Sequence, residues 1–264
     1  MEGLTRISHR GATAAAPSLS AREDEWLHST PRYELKFVGP ARRGHAVELS
    51  LAALCRPDSE FPENRVHTLY FDSPRLRAYA DKINGDYVKE KVRLRWYDAG
   101  VPETVHKLAP ETRTATAELS STPSAWLEIK AKTGTLGYKL RKRIAFHLPA
   151  TATEFSPQAA SDLLAAHLGA PLLPTCWLSY SRLRLVSLDH HTRVALDREI
   201  RVEWSDARLG RPHPKAALPC FVIEVKGKSL LCDPALNACI GRFARRNAFS
   251  KYAMCIDSIR GRKI

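Results

Sequence analysis

The sequence predicts an α+β fold in which about eight strands form a closed or nearly closed barrel, with helices at its ends and in its crossovers. Three observations predict it. Stretch after stretch alternates charged with apolar residues, the period of a strand. Helical segments with recognisable starts and stops separate those stretches. The apolar half of each strand is strong enough to need a helical cover, which turns the charged half inward. The chain has 264 residues, enough for one domain with a sizeable core. No repeat or linker divides it. Residues 1–28 read as a flexible leader, and 29–264 as one domain.

The elements follow in order. In RYELKF (32–37), Arg32, Glu34 and Lys36 alternate with Tyr33, Leu35 and Phe37. Residues 40–55 read as a helix opened by Pro40. RVHTLYFD (65–72) is a strand that ends at the turn Asp72-Ser73-Pro74, and 75–83 is a short helix stopped by Asn84-Gly85. In KEKVRLRWYD (89–98), Lys91, Arg93, Arg95 and Tyr97 oppose Val92, Leu94 and Trp96. A polar segment, 99–125, reads as a long connection or insertion with one possible strand at 103–108. WLEIKAK (126–132) sets Glu128, Lys130 and Lys132 against Leu127, Ile129 and Ala131. In the strand after Gly137, Lys139, Arg141 and Arg143 share a face. Residues 156–169 carry a serine N-cap, a first-turn proline and a terminal glycine, the marks of a helix. Strands follow at 177–186, 192–200 and 221–228, then helical pattern at 237–246 and 250–259.

Lys and Arg number 41 against 28 Asp and Glu, a net charge of +13. That balance calls for a polyanionic partner. The six cysteines form no C-x-x-C pair and no zinc spacing, so they read as reduced thiols of a cytoplasmic protein. No run approaches the roughly 18 to 20 apolar residues of a membrane span.

Lys and Arg dominate the polar faces, and Glu34, Glu128 and Glu224 each stand two residues before a lysine. Cations packed inside a barrel repel by several kcal/mol per close pair, at roughly the intermediate dielectric of a protein. A bound phosphate chain makes that arrangement tolerable, and carboxylates among the cations suit Mg²⁺ or Mn²⁺, hard ions that prefer oxygen.

At this point the sequence resembles the VTC domain (vacuolar transporter chaperone) of the CYTH-like triphosphate tunnel metalloenzyme superfamily. The matching pieces are R-Y-E-L-K at 32–36, T-L-Y-F-D-S-P with Y-A-D-K and glycine at 68–85, R-L-R-W-Y at 93–97 and W-L-E-I-K at 126–130. They continue with Gly134 to Arg141, Y-S-R at 180–182, R-V-A-L-D at 193–197, I-E-V-K at 223–226 and F-S-K-Y at 249–252. The N-terminal R-Y-E-L-K is the VTC form of the superfamily's E-x-E-x-K.

The resemblance implies an eight-stranded antiparallel tunnel with flanking helices. It implies a polyphosphate polymerase that moves the γ-phosphate of ATP onto a growing chain, or, in other branches, a tripolyphosphate hydrolase. It places Arg93, Arg95, Lys130 and Arg182 around the transferred group. Lys36, Lys82, Lys139, Arg141, Lys226 and Lys251 would be phosphate or nucleotide ligands, Glu224 the metal ligand, and Glu34 and Glu128 nearby carboxylates. ATP, polyphosphate and pyrophosphate or tripolyphosphate are the implied partners, with Mn²⁺ or Mg²⁺ as cofactor. Any coupling to a membrane would need a partner protein.

Two other readings compete. A non-catalytic polyphosphate binder would need the same cations. A nucleic-acid module has only the net charge in its favour: the basic residues form no major-groove helix, and Phe37, Trp96 and Phe146 lie on apolar faces instead of offering stacking platforms. Asp197 reads as a structural ion-pair partner beside Arg193. His190 and His191 read as solvated turn residues, and Arg242, Arg245 and Arg246 as a solvated helix face.

Overall fold

The computed structural model describes residues 26–29, 33–98, 124–134, 136–188, 191–210, 217–227 and 233–262. The candidate strand at 103–108 and His190 lie outside them, as do residues 1–25 of the stretch read as leader. The strands are β1 (Leu27–Ser29), β2 (Tyr33–Pro40), β3 (Cys55–Pro57), β4 (Glu63–Asp72), β5 (Val88–Tyr97), β6 (Ser124–Thr133), β7 (Leu136–Ala145), β8 (Leu173–Ser187), β9 (Arg193–Ser205), β10 (Cys220–Gly227) and β11 (Arg245–Arg246). The helices are α1 (Gly44–Ala52), α2 (Arg77–Ile83), α3 (Pro157–Leu168), α4 (Pro234–Gly241) and α5 (Lys251–Ile259).

All the strands join one antiparallel sheet in the order β1-β7-β6-β5-β4-β8-β9-β10-β2-β11, with β3 added alongside β8. The expected count of eight is therefore too low. The long strands of 8 to 15 residues are the ones legible from alternation. The added β1, β3 and β11 have only 2 or 3 residues, too few to show a period. β1 lies partly within the stretch read as leader.

The sheet curls on itself. Lys130 on β6 and Glu34 on β2 have five strands between them in the sheet order, yet their charged atoms are 3.0 Å apart. Among the described residues no pairing joins β7 to β2. The insertion does not disturb the β5–β6 register, in which Arg93 faces Glu128 and Arg95 faces Trp126.

Directly opposed residues share a face, so the registers sort every side chain. The convex face is apolar. α3 covers Leu69, Val92, Leu94, Trp96, Leu127 and Trp177. Its Ser156 cap accepts the Ala159 N–H at 3.2 Å, and Gly169 ends it at φ 61°. α1 and α4 cover Leu35, Phe37, Val194, Leu196 and Ile223. The sequence run 237–246, read as helical, divides: α4 stops at Gly241, and Arg245 and Arg246 pair with the edge of β2 instead.

The concave face is not charged throughout. Tyr252, Cys255 and Ile256 of α5 pack there on Tyr70, Cys176 and Leu178. Asp72 fixes this helix. Its carboxylate accepts the N–H groups of Ser73, Ala78 and Tyr79 at 2.7, 2.9 and 3.0 Å and the Tyr252 hydroxyl at 2.5 Å. The D-S-P turn thus joins β4, α2 and α5, and the charged side chains share the rest of the concave face with a second apolar group of Val38, Val66, Tyr97, Tyr180, Val222 and Phe249. Among the described residues, no helix is long and apolar enough to cross a membrane.

Candidate functional site

Cross-strand register builds the site. Lys36 faces Glu224, Arg93 faces Glu128, Lys91 faces Lys130, Lys130 faces Lys139, and Arg182 faces Asp197. The side chains then gather around carboxylates. Glu128, 2% exposed, accepts Arg93 Nε at 2.8 Å and Lys139 Nζ at 3.0 Å, with Arg95 at 3.6 Å. Burial raises its carboxyl, but Arg93, Arg95 and Lys139 outweigh burial and hold it well below the usual range.

The second group forms around Asp197 and Glu224. Arg182 donates to both Asp197 oxygens at 2.6 and 2.8 Å and to Glu224 at 3.2 Å. Lys251, the first residue of α5, reaches Asp197 at 2.5 Å and Glu224 at 3.2 Å. Lys226 stands 3.4 Å from Glu224, and Lys36 4.0 Å. Burial disfavours both charged carboxylates, yet Arg182 and Lys251 keep them ionised. Tyr180 lies under these cations: Arg95 donates to its hydroxyl at 3.3 Å, and Lys251 sits 5.0 Å from its ring centre.

Glu34 links the two groups, 3.2 Å from Lys36 and 3.0 Å from Lys130. Burial and Glu224 push its carboxyl up, and Lys36, Lys130 and Lys226 overcome them, so it falls below its ordinary value. Burial brings Lys130 down to about 8, against the pull of Glu34.

Eleven of the sequence-predicted residues therefore meet: Lys36, Arg93, Arg95, Lys130, Lys139, Arg182, Lys226, Lys251, Glu34, Glu128 and Glu224. Lys82, half-buried in the last turn of α2, makes none of these ion pairs; burial lowers its pKa, and Lys89, Lys36 and Lys132 lower it further. Arg141 lies apart, exposed, with its guanidinium 4.7 Å over the Trp126 ring. Sequence reasoning passed over Lys91 as a site residue. Its Nζ donates to Ser250 Oγ at 2.8 Å, and burial, with Lys36, Lys130, Lys82 and Arg93 around it, brings its pKa down to about 7. The K-x-R-x-R parity of β5 was the signal for it. Asp197 is a structural partner, but of Arg182 and Lys251.

Among the described residues, no group of three or more His, Cys, Asp or Glu side chains could hold a metal ion. Each carboxylate already meets cations: Glu128 meets Arg93, Arg95 and Lys139, Glu224 meets Arg182, Lys251, Lys226 and Lys36, and Glu34 meets Lys36 and Lys130. Glu34 and Glu224 are the neighbouring pair, close enough for the charge of Glu224 to act on Glu34. Two carboxylates do not cage an ion, but Mg²⁺ commonly takes one or two carboxylates together with substrate phosphates and water. The donor set fits an ion that arrives with a phosphate chain.

The family model of the VTC domain matches residues 31–260. The chain belongs to the VTC-domain family. No curated protein matches the sequence. Among solved structures, a candidate adenylate cyclase from Bacillus halodurans is similar at 12% identity, over 75% of this chain and 81% of that one, with a TM-score of 0.41. A second, from Vibrio parahaemolyticus, is 9% identical over 85% of this chain and 98% of that one, TM-score 0.44. The Schizosaccharomyces pombe Mediator head module is 14% identical over 81% and 90%, TM-score 0.39. At these scores the likeness carries no argument about function.

Proposed function

We propose that this VTC-family protein is a metal-dependent phosphotransferase that moves the γ-phosphate of ATP onto a growing polyphosphate chain along its concave face. One observation carries the reading. Lys36, Lys91, Arg93, Arg95, Lys130, Lys139, Arg182, Lys226 and Lys251 line one concave surface and, among the described residues, meet the carboxylates Glu34, Glu128, Asp197 and Glu224 there. Such an excess of buried and half-buried cation favours a multiply charged anion over water.

Phosphoryl transfer needs little covalent chemistry from the protein; positioning and charge neutralisation do most of the work. An oxygen of orthophosphate, or of a chain's terminal phosphate, attacks the γ-phosphorus. The bond from that phosphorus to the bridging oxygen breaks, and its electron pair leaves with ADP. Arg93, Arg95, Lys130 and Arg182 clamp the transferred group. Their carboxylate partners hold them in place before the substrate arrives, so little reorganisation is left for the reaction itself. Lys36, Lys139, Lys226 and Lys251 hold the neighbouring phosphates, and Lys82 draws the anion in. Glu34 and Glu224 would hold Mn²⁺ or Mg²⁺, which neutralises charge on the phosphate oxygens when bound.

Glu224→Gln tests the assignment. It removes one charge from a buried cluster and keeps the shape. Transfer supported by Mn²⁺ should fall at least a hundredfold while circular dichroism stays that of the wild type. Unchanged transfer at every Mn²⁺ concentration contradicts the role given to Glu224.

A further inference from the structure

A second concentration of positive charge lies outside the concave site. Pro74, Arg75, Leu76, Arg208, Leu209 and Arg260 border an open surface pocket of about 200 Å³. Three segments distant in sequence meet there: the turn after β4, the 3₁₀ turn Ala207–Leu209 after β9, and the C-terminal end of α5. Its lining residues include three exposed arginines and no Asp or Glu. Asp206 engages only Arg208, which donates to it through Nε at 2.9 Å and Nη2 at 2.6 Å. Arg75 and Arg260 have no ion pair among the described residues. Arg260 rests 5.6 Å over the Tyr79 ring, which orients it without neutralising it.

A cation at the end of a helix complements the helix dipole, and that accounts for Arg260 alone. It does not account for Arg75 and Arg208, which belong to other segments and border the same space. Nor does the local backbone choose this arrangement freely. Leu76, between Arg75 and α2, sits at φ 55° and ψ 48°, a left-handed conformation unfavourable for a leucine. The surrounding fold imposes it, and strain of that kind gathers where ligands are held.

We propose that this pocket is a binding site for a phosphoryl anion, separate from the concave site. Guanidinium forks match phosphate oxygens in pairs. The forks of Arg75 and Arg260, without an ion pair among the described residues, and the Asp206-held Arg208 beside them suit a tripolyphosphate, or a segment of a longer chain.

Equilibrium dialysis with radiolabelled tripolyphosphate tests it at physiological salt. The wild type is compared with Arg75→Ala/Arg260→Ala and with Arg42→Ala/Arg56→Ala, a double variant of equal charge change at exposed positions elsewhere. The pocket variant should bind one equivalent less than the charge-matched control. That difference stands whether or not the concave site binds phosphate, so the two assignments succeed or fail separately. Single Arg75→Ala removes an exposed side chain without partners, and keeps the test readable where the double variant unfolds. It should weaken one class of site by about tenfold, the loss of one charge-assisted contact. Repeating the dialysis with a long polyphosphate identifies the source. A loss seen only with the long chain means that the pocket holds a chain already anchored elsewhere, and a loss with both probes means a free anion. Equal binding by the pocket variants and the control, with both probes, overturns the proposal.

Discussion

Lys91 shows how position sets the chemistry of a single residue. Its partner is a hydroxyl, Ser250 Oγ; burial first, and then the positive charges of Lys36, Lys130, Lys82 and Arg93, bring its pKa down to about 7, far below a free lysine. An arriving anion reverses that balance and draws the proton back. Tripolyphosphate binding at about pH 8 should therefore take up protons, measured by calorimetry in buffers of different ionisation enthalpy. At about pH 6, where Lys91 is already charged, its uptake should vanish. Lys91→Met should remove most of the pH 8 uptake, leaving the smaller share of Lys130. Uptake identical in wild type and Lys91→Met would place the proton elsewhere. Glu128 is the complementary case: a carboxylate enclosed by Arg93, Arg95 and Lys139, whose charges hold it ionised and whose two oxygens hold them in place.

Among the elements, α5 is the one on which the site depends most. It is short, yet it carries Lys251 into the carboxylate group and packs Tyr252, Cys255 and Ile256 against the concave face. Asp72 holds it from across the sheet. Asp72→Ala leaves the buried Tyr252 hydroxyl and the first N–H groups of α2 without an acceptor. The loss should be roughly 2–4 kcal/mol, a cap and a buried hydroxyl together, read as a lower midpoint in urea. An unchanged midpoint would contradict the role of this turn. The elements also show what the sequence could express. A strand of eight or more residues displays its alternation, so β2, β5, β6 and β10 and their inward charges were legible, and their parity pointed to the charged groups before any contact was known. The two- and three-residue strands had no period to read. Arg245 and Arg246 looked helical because α4 precedes them; only the open edge of β2 makes them a strand. Arg141 had the right parity, but the Trp126 ring attracts its guanidinium, and parity cannot foresee that. Nor does a linear pattern say which carboxylate a cation will meet, which is why Asp197 was paired in expectation with Arg193 and in structure with Arg182 and Lys251.

For the whole molecule, the curl of the sheet decides everything. Strands far apart in the sheet order bring Lys130 to Glu34, and a flat sheet with the same residues would present a scattered, solvated basic surface. The net charge of +13 supplies long-range attraction for a polyanion, while the concave face supplies the fixed geometry that phosphoryl transfer needs. The measurement that tests this most directly is incubation of the protein with ATP, Mn²⁺ and trace pyrophosphate, with products resolved on a gel stained for polyphosphate. The account predicts long chains accompanied by ADP. Protein of intact fold that yields no chains under these conditions would contradict it, and orthophosphate released from added tripolyphosphate would then mark the same site as one that transfers to water.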